Sequence, residues 1–106
     1  MKGSCVPTIP GRPIIVKVIN RELTLTWTEP DNDGGAEITG YLIAYTAADG
    51  SVTKYVTVGV TTTAKLENEF VRKGSYLFAV AAKNTFGTGD FSSLSEKINI
   101  PNYFGK

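Results

Sequence analysis

The chain has 106 residues, 42% of them hydrophobic, and this length suits a single domain built around one core. Its 11 basic side chains nearly balance its 10 acidic ones, and the net charge of +1 comes without a long run of either sign. Such a balance argues against nucleic acid or an anionic membrane as the partner. No apolar stretch is long enough to cross a bilayer, so we expect no membrane insertion.

The cysteine and histidine content restricts both the chemistry and the stabilisation of the domain. The single cysteine, Cys5, allows no internal disulfide, so the core must hold by packing. Without histidine the chain lacks a Ser-His-Asp site, a His general base and a conventional zinc site, and we expect no enzyme activity, cofactor or metal. The missing disulfide and the missing Asn-x-Ser/Thr sequon favour an intracellular setting, with an extracellular or cell-surface one as the alternative.

Proline-rich segments at both ends indicate linkers around one domain. Three prolines surround Gly11 at the start of the chain, and Pro101 follows the last apolar run. Proline pairs poorly in sheets and stiffens a linker. We predict an N-terminal linker over 1–11, the domain over 12–101 and a C-terminal linker over 102–106.

The alternation of apolar and polar residues predicts β-strands and no helix of useful length. In chain order the seven predicted strands are 13–19, 22–28, 38–46, 51–58, 62–69, 74–83 and 93–100. The second is the clearest, because Leu23, Leu25 and Trp27 fall on one side of it and three threonines fall on the other. We predict an all-β fold, a seven-stranded antiparallel sandwich of two sheets with Trp27 at its centre.

Turn residues separate several of these strands. The run 30–35, Pro-Asp-Asn-Asp-Gly-Gly, combines a fixed φ with side chains that bond their own backbone and residues that tolerate positive φ. Asp49 and Gly50 mark a hairpin between the third and fourth strands. Asp31 and Asp33 lack the spacing of an EF-hand calcium loop, so we interpret them as turn residues.

The third and sixth strands supply the rest of the predicted core. Their inward positions are Tyr41, Ile43, Tyr45, Tyr76, Phe78 and Val80. Their outward positions, which we call the outer strip, are Leu42, Ala44, Leu77, Ala79 and Ala81. The outer strip is either a contact surface or a set of small residues covered by longer neighbours such as Lys54 and Lys83.

The order and spacing of these residues resemble a fibronectin type III domain over nearly the whole chain. The matching segments are 10–13, 25–30, 33–35, 38–41, 76–84 and 87–89, followed by Ser92. The runs 33–35 and 38–41 look most like the type III modules of giant muscle proteins such as titin, twitchin and myosin-binding protein C. The resemblance implies an immunoglobulin-like β-sandwich of fibronectin type III topology, with Phe70 and Tyr76 at the spacing of the family's tyrosine corner.

Two devices found in related modules are missing. No Arg-Gly-Asp occurs between residues 84 and 90, so integrin binding is unsupported. No Trp-Ser-x-Trp-Ser box occurs either, and the nearest run, 91–95, is Phe-Ser-Ser-Leu-Ser. The resemblance therefore implies a non-catalytic module whose partner is a protein or a neighbouring domain of the same chain, with the isolated domain monomeric.

Three functional hypotheses remain. The first is a structural and protein-interaction module of a larger adhesion, cytoskeletal or sarcomeric protein. The second is an accessory spacer or binding domain attached to an enzyme. The third, catalysis by the domain itself, would need a carboxylate pair such as Glu67 and Glu69, for which no pocket signal exists; a solvated outer face explains both residues better.

Two surfaces are candidates for protein binding. In the family's topology the connections 30–35, 58–62 and 85–90 lie at one end of the sandwich, which we call the loop end. Its candidate residues are Asp31, Asp33, Phe86, Thr88 and Asp90. The outer strip, represented by Leu42 and Leu77, is the second candidate. Because Phe86 supplies an aromatic anchor, we favour the loop end.

The register of the sixth strand can be tested at Tyr76. If its hydroxyl bonds back to the backbone near Phe70, Tyr76→Phe removes one buried hydrogen bond and lowers the free energy of unfolding by about 0.5–1.5 kcal/mol. Urea denaturation of both proteins measures this difference, and a change near zero would place Tyr76 away from a corner.

Overall fold

The computed structural model describes residues 5–19, 22–48, 50, 53–67 and 74–100. These residues contain no helix and form eight β-strands: β1 (Ile14–Ile19), β2 (Glu22–Thr26), β3 (Gly40–Ala47), β4 (Thr53–Val58), β5 (Thr63–Glu67), β6 (Gly74–Asn84), β7 (Gly87–Thr88) and β8 (Ile98–Ile100). The strands contain many β-branched and aromatic residues, which pack well on a pleated, half-buried surface.

The strands form two antiparallel sheets. One has the order β1-β2-β5, and the other has the order β4-β3-β6, with β7 and β8 both paired to β6. Strand β3 occupies one side of β6, so β7 and β8 both lie on the other side of β6, at different positions along its length. The predicted antiparallel sandwich is confirmed.

The core fills the space between the sheets. Leu23 and Leu25 from β2 face Ile43 and Phe78 of the other sheet, and all four are fully buried. Trp27 lies just beyond β2, and its ring meets that of Tyr41 edge-on with centroids 5.4 Å apart. Of the other residues predicted to lie in the core, Tyr45 and Val80 are buried, and Tyr76 is half-buried and packs against the core residues. Phe70 lies outside the described residues.

The first sheet contains one irregularity. The pairing of β1 with β2 shifts register between Ile15 and Lys17, so Val16 has no partner directly opposite. A bulge of this kind bends an edge strand and increases its twist. Ile15 and Val18 still pack against the core, while Val16 is exposed.

The last predicted strand differs from the structure. The sequence predicts a strand over 93–100, but residues 93–97 form no strand, and regular pairing with β6 is limited to β8. Ser92 and Ser95 explain the difference, because each donates its N–H to a β6 carbonyl, Val80 and Phe78 respectively, at 2.8 and 2.7 Å. Their Oγ atoms accept the N–H groups of the same two residues at 3.1 and 3.0 Å. The two serine hydroxyls thus take the place of the main-chain carbonyls that would accept these β6 N–H groups in a regular strand ladder.

This serine pairing gives a stability prediction. Ser95→Ala leaves the buried N–H of Phe78 without its acceptor, which should lower the free energy of unfolding by about 1–3 kcal/mol. The matched control is Ser93→Ala, an exposed position in the same segment, where a change within about 0.5 kcal/mol is expected. Equal effects in urea denaturation of the two variants would contradict this role for the Ser95 hydroxyl.

Candidate protein-interaction site

The loop end is assembled by hydrogen bonds between connections that are distant in sequence. The carbonyl of Thr62, between β4 and β5, accepts the N–H of Trp27 at 2.9 Å and the hydroxyl of Thr26 at 2.8 Å. The side chain of Asn84, at the end of β6, donates to the carbonyl of Asp33 at 2.7 Å. The three connections therefore converge at one end of the sandwich.

The turn at 32–35 is built by its own side chains. Asn32 Oδ1 accepts the N–H of Gly34 at 2.8 Å, and Asp33 Oδ1 accepts that of Gly35 at 2.9 Å. Gly34 and Gly35 have φ of 79° and 98°, a conformation that side chains with a Cβ rarely adopt. Asp33 is thus exposed but occupied in shaping the turn, whereas Asp31 is exposed and makes no such bond within the described chain.

An open hollow of about 650 Å³ lies beside this turn. Ile38, Val60 and Pro30 give it an apolar wall, and its carboxylates are Glu29, Asp31, Asp33 and Glu37. Within the described residues none of these carboxylates forms an ion pair with lysine or arginine. We call this feature the acidic hollow.

One carboxylate of the acidic hollow, Glu29, acts on a buried core residue, Tyr41. Burial, and after it the charge of Glu29, raises the pKa of the Tyr41 hydroxyl above its ordinary value of 10.0. Tyr41 therefore remains neutral at physiological pH. Tyr41 is buried edge-on against Trp27, so it contributes packing at this end of the sandwich and no charge.

Phe86 lies on the turn between β6 and β7 and is 50% exposed. Its N–H donates to Asn84 Oδ1 at 2.8 Å, so the turn has a fixed backbone and an aromatic ring open to solvent. Thr88 and Asp90 follow on the same hairpin and are also exposed. An exposed aromatic ring on a fixed backbone is typical of interface anchors.

The N-terminal segment also belongs to the loop end, which the sequence did not indicate. Cys5 donates its N–H to Gly34 at 3.0 Å, and Thr8 donates its N–H to Asn32 at 3.0 Å. Pro7 and Pro10 are buried. The division between linker and domain at residue 11 stays a prediction, but residues 5–10 contact the loops. The only signal in the sequence is the proline content, which is equally typical of a linker.

The outer strip is largely covered. Leu42, Ala44 and Leu77 are half-buried, and Ala79 and Ala81 are buried. Two aromatic rings form part of this cover. Tyr55, on edge strand β4, and Phe91, beside β6, have ring centroids 6.1 Å apart.

Strand spacing shows how far these rings lean. Two strands separate β4 from the Phe91 segment, so their backbones lie about 14 Å apart at about 4.8 Å per strand. Since the ring centroids are only 6.1 Å apart, both side chains must extend toward each other across the outer face of the sheet. They pass over Ala44 and Ala79, whose small side chains leave room for them. An apolar hollow of about 350 Å³ remains, bounded by Leu94, Thr46 and Thr53 as well as the two rings.

Other chemistry is not supported in the described part of the chain. No group of three or more cysteine, aspartate or glutamate side chains there could hold a metal ion. The carboxylate pair lies outside the described part of the chain, which includes neither Glu69 nor the side chain of Glu67. No helix in the described chain is long and apolar enough to cross a membrane.

The chain is similar to several multidomain proteins. The model of the fibronectin type III domain family matches residues 8–98. A titin homolog of Caenorhabditis elegans is 33% identical over 92 residues, covering 86% of this chain. Human Roundabout homolog 1 is 32% identical over 94 residues, covering 88%. Endoglucanase B of Cellulomonas fimi is 30% identical over 94 residues, covering 89%.

The solved structure of titin kinase and its flanking domains also matches, with a TM-score of 0.80 at 35% identity. The match covers 88% of this chain and 17% of that one. The match covers only a small share of each relative's own length: 8% of Endoglucanase B, 6% of Roundabout homolog 1 and, to the nearest per cent, 0% of the titin homolog. It is thus similar to a small part of each relative.

Proposed function

The chain belongs to the fibronectin type III family, and we propose on this basis that it is a structural and protein-interaction module of an adhesion, cytoskeletal or sarcomeric protein. The family is generally a non-catalytic module of multidomain proteins. Similarity to a titin homolog and to Roundabout homolog 1 supports both the sarcomeric and the adhesion settings.

The observation that carries the proposal is the chemistry of the loop end. The acidic hollow joins four carboxylates to an apolar wall, and Phe86 stands exposed on the neighbouring turn. A lysine or arginine side chain suits such a hollow, because its aliphatic stem can lie against Ile38 and Val60 while its charged end meets the carboxylates. The partner is therefore a protein surface that presents basic side chains beside an apolar contact.

The outer strip is the weaker candidate for binding. Its central alanines are already covered by Tyr55 and Phe91, so a partner gains little apolar area from them. Exposed apolar side chains occur on both surfaces, at Phe86 (50%) and Val60 (70%) on the loop end and at Tyr55 (60%) and Leu94 (49%) beside the outer strip. What the loop end adds is charge, because four carboxylates line the acidic hollow and none lines the hollow beside the outer strip.

A second function is an accessory domain that positions an attached enzyme. Two observations favour it: the similarity to part of Endoglucanase B, and the match to a structure of titin kinase and its flanking domains. In this case the loop end would contact the neighbouring catalytic domain. The sequence flanking the domain in its parent protein distinguishes this function from the first.

Substitutions at the two surfaces test the proposed site. Against a purified protein that binds the chain, Phe86→Ser and Asp31→Lys should each weaken binding about tenfold or more, since one removes the aromatic anchor and the other reverses charge in the hollow. Leu77→Lys should leave affinity unchanged. Calorimetric titration measures the affinities after thermal melting has shown each variant to be folded.

The matched control for charge is Glu96→Lys, which makes the same change at an exposed residue beside Ser95, away from the loop end. It should have little effect, and rising salt should weaken binding of the unmodified chain. Loss of binding in Leu77→Lys alone would move the site to the outer strip. Equal losses in Glu96→Lys and Asp31→Lys would show that only net charge matters.

A further inference from the structure

Residues 5–10 lie across the loop end, between the turn 32–34 and the segment 84–89. On one side, Thr8 makes three hydrogen bonds with Asn32: its N–H and its hydroxyl donate to the Asn32 carbonyl at 3.0 and 3.1 Å, and its Oγ1 accepts the Asn32 N–H at 3.1 Å. Cys5 adds a fourth bond, from its N–H to the Gly34 carbonyl at 3.0 Å.

Asn84 connects this segment to both turns through a single side chain. Its Nδ2 donates to the carbonyl of Cys5 at 2.8 Å and to that of Asp33 at 2.7 Å. Its Oδ1 accepts the N–H of Phe86 at 2.8 Å. The carboxamide uses both donor hydrogens and its acceptor, and it is buried, with 6% of its surface exposed.

Two glycines allow the segment to lie this close. A Cβ built on Gly89 would come 2.1 Å from the carbonyl oxygen of Pro7, and one built on Gly34 would come 2.1 Å from that of Cys5. Both are backbone atoms, which cannot move aside unless the segment itself moves. Gly89 does not have a positive φ, so an alanine there acts through this clash alone.

The segment is attached to the domain separately from the strand ladder. Within the described chain its hydrogen bonds are made to loop residues and to the Asn84 side chain, whereas the strand ladder begins only at Ile14. Gly11, which bonds to Thr28 at 3.0 Å, separates the segment from β1. Apart from the buried Pro7 and Pro10, a few peripheral hydrogen bonds hold the segment, and elements held in this way open at lower free energy than core strands.

We propose that residues 5–10 form a latch over the loop end, with Asn84 as the residue that positions it. When the latch is closed, it holds the turn 32–34 and the turn that carries Phe86 at a fixed separation and adds Val6 beside Gly87 to the exposed surface. When it opens, both turns lose shared hydrogen bonds while the core stays folded. The latch deepens the loop-end binding proposed above, because it sets the arrangement of the surface that the partner meets.

Amide hydrogen exchange on the ¹⁵N-labelled chain tests the latch. In Gly89→Ala the amides of Cys5 and Thr8 should exchange about tenfold faster or more, because the added methyl group expels the Pro7 carbonyl. The amides of Ile43 and Val80, in the core, should keep their rates. Gly59→Ala is the matched control, because a Cβ at Gly59 meets nothing within 4 Å.

Thr8→Val is the second variant, and it keeps the side-chain shape while it removes the hydroxyl bonds to Asn32. It should also speed exchange at Phe86, which is linked to Thr8 through Asn84, by way of Cys5 in the latch and of Asp33 in the turn 32–34. Unchanged exchange at Cys5 and Phe86 in Thr8→Val overturns the proposal, as does loss of protection in step with Ile43 and Val80. No partner enters the measurement, so its failure leaves the proposed binding intact, and a failure of binding leaves the latch intact.

Discussion

The contact between Trp27 and Tyr41 is the interaction on which the rest of the structure depends. It joins the end of β2 in one sheet to the start of β3 in the other, in a chain that has no disulfide to do so. The Trp27 Nε1 is buried and has no hydrogen-bond partner among the described residues, so the side chain acts through packing. The main-chain N–H of Trp27 also bonds to the carbonyl of Thr62. The packing of Trp27 therefore fixes both the start of the connection after β2 and the end of the connection before β5.

The loop end combines a fixed base with a charged surface that is open to solvent. Within the loop end, main-chain groups and small polar side chains satisfy one another, as Asn32, Asp33 and Asn84 show. What remains open to solvent is an uncompensated set of carboxylates and the ring of Phe86. A rigid base with an acidic and apolar surface is suited to holding a protein partner, and the family's modular use is consistent with it.

The sequence predicts the parts of this fold that follow from alternation and turn chemistry. Leu23, Leu25 and the turn 30–35 are of this kind, since local spacing alone assigns their face or their conformation. It does not predict that Ser92 and Ser95 bond to β6, because serine hydroxyls that replace main-chain acceptors produce no periodic pattern of hydrophobic residues. Nor does it predict the cover of Tyr55 and Phe91 or the latch, which depend on which distant segments the strand order brings together.

The most direct measurement is the free energy of unfolding of Trp27→Ala, obtained from urea denaturation beside the unmodified chain. Removing the indole loses its transfer free energy and leaves a cavity between the sheets, so the account predicts a loss of about 3–5 kcal/mol. Against a usual total of about 5–15 kcal/mol, such a variant is largely unfolded or close to it. A loss below about 1 kcal/mol, with the loop-end hydrogen bonds still protected from exchange, would contradict the account.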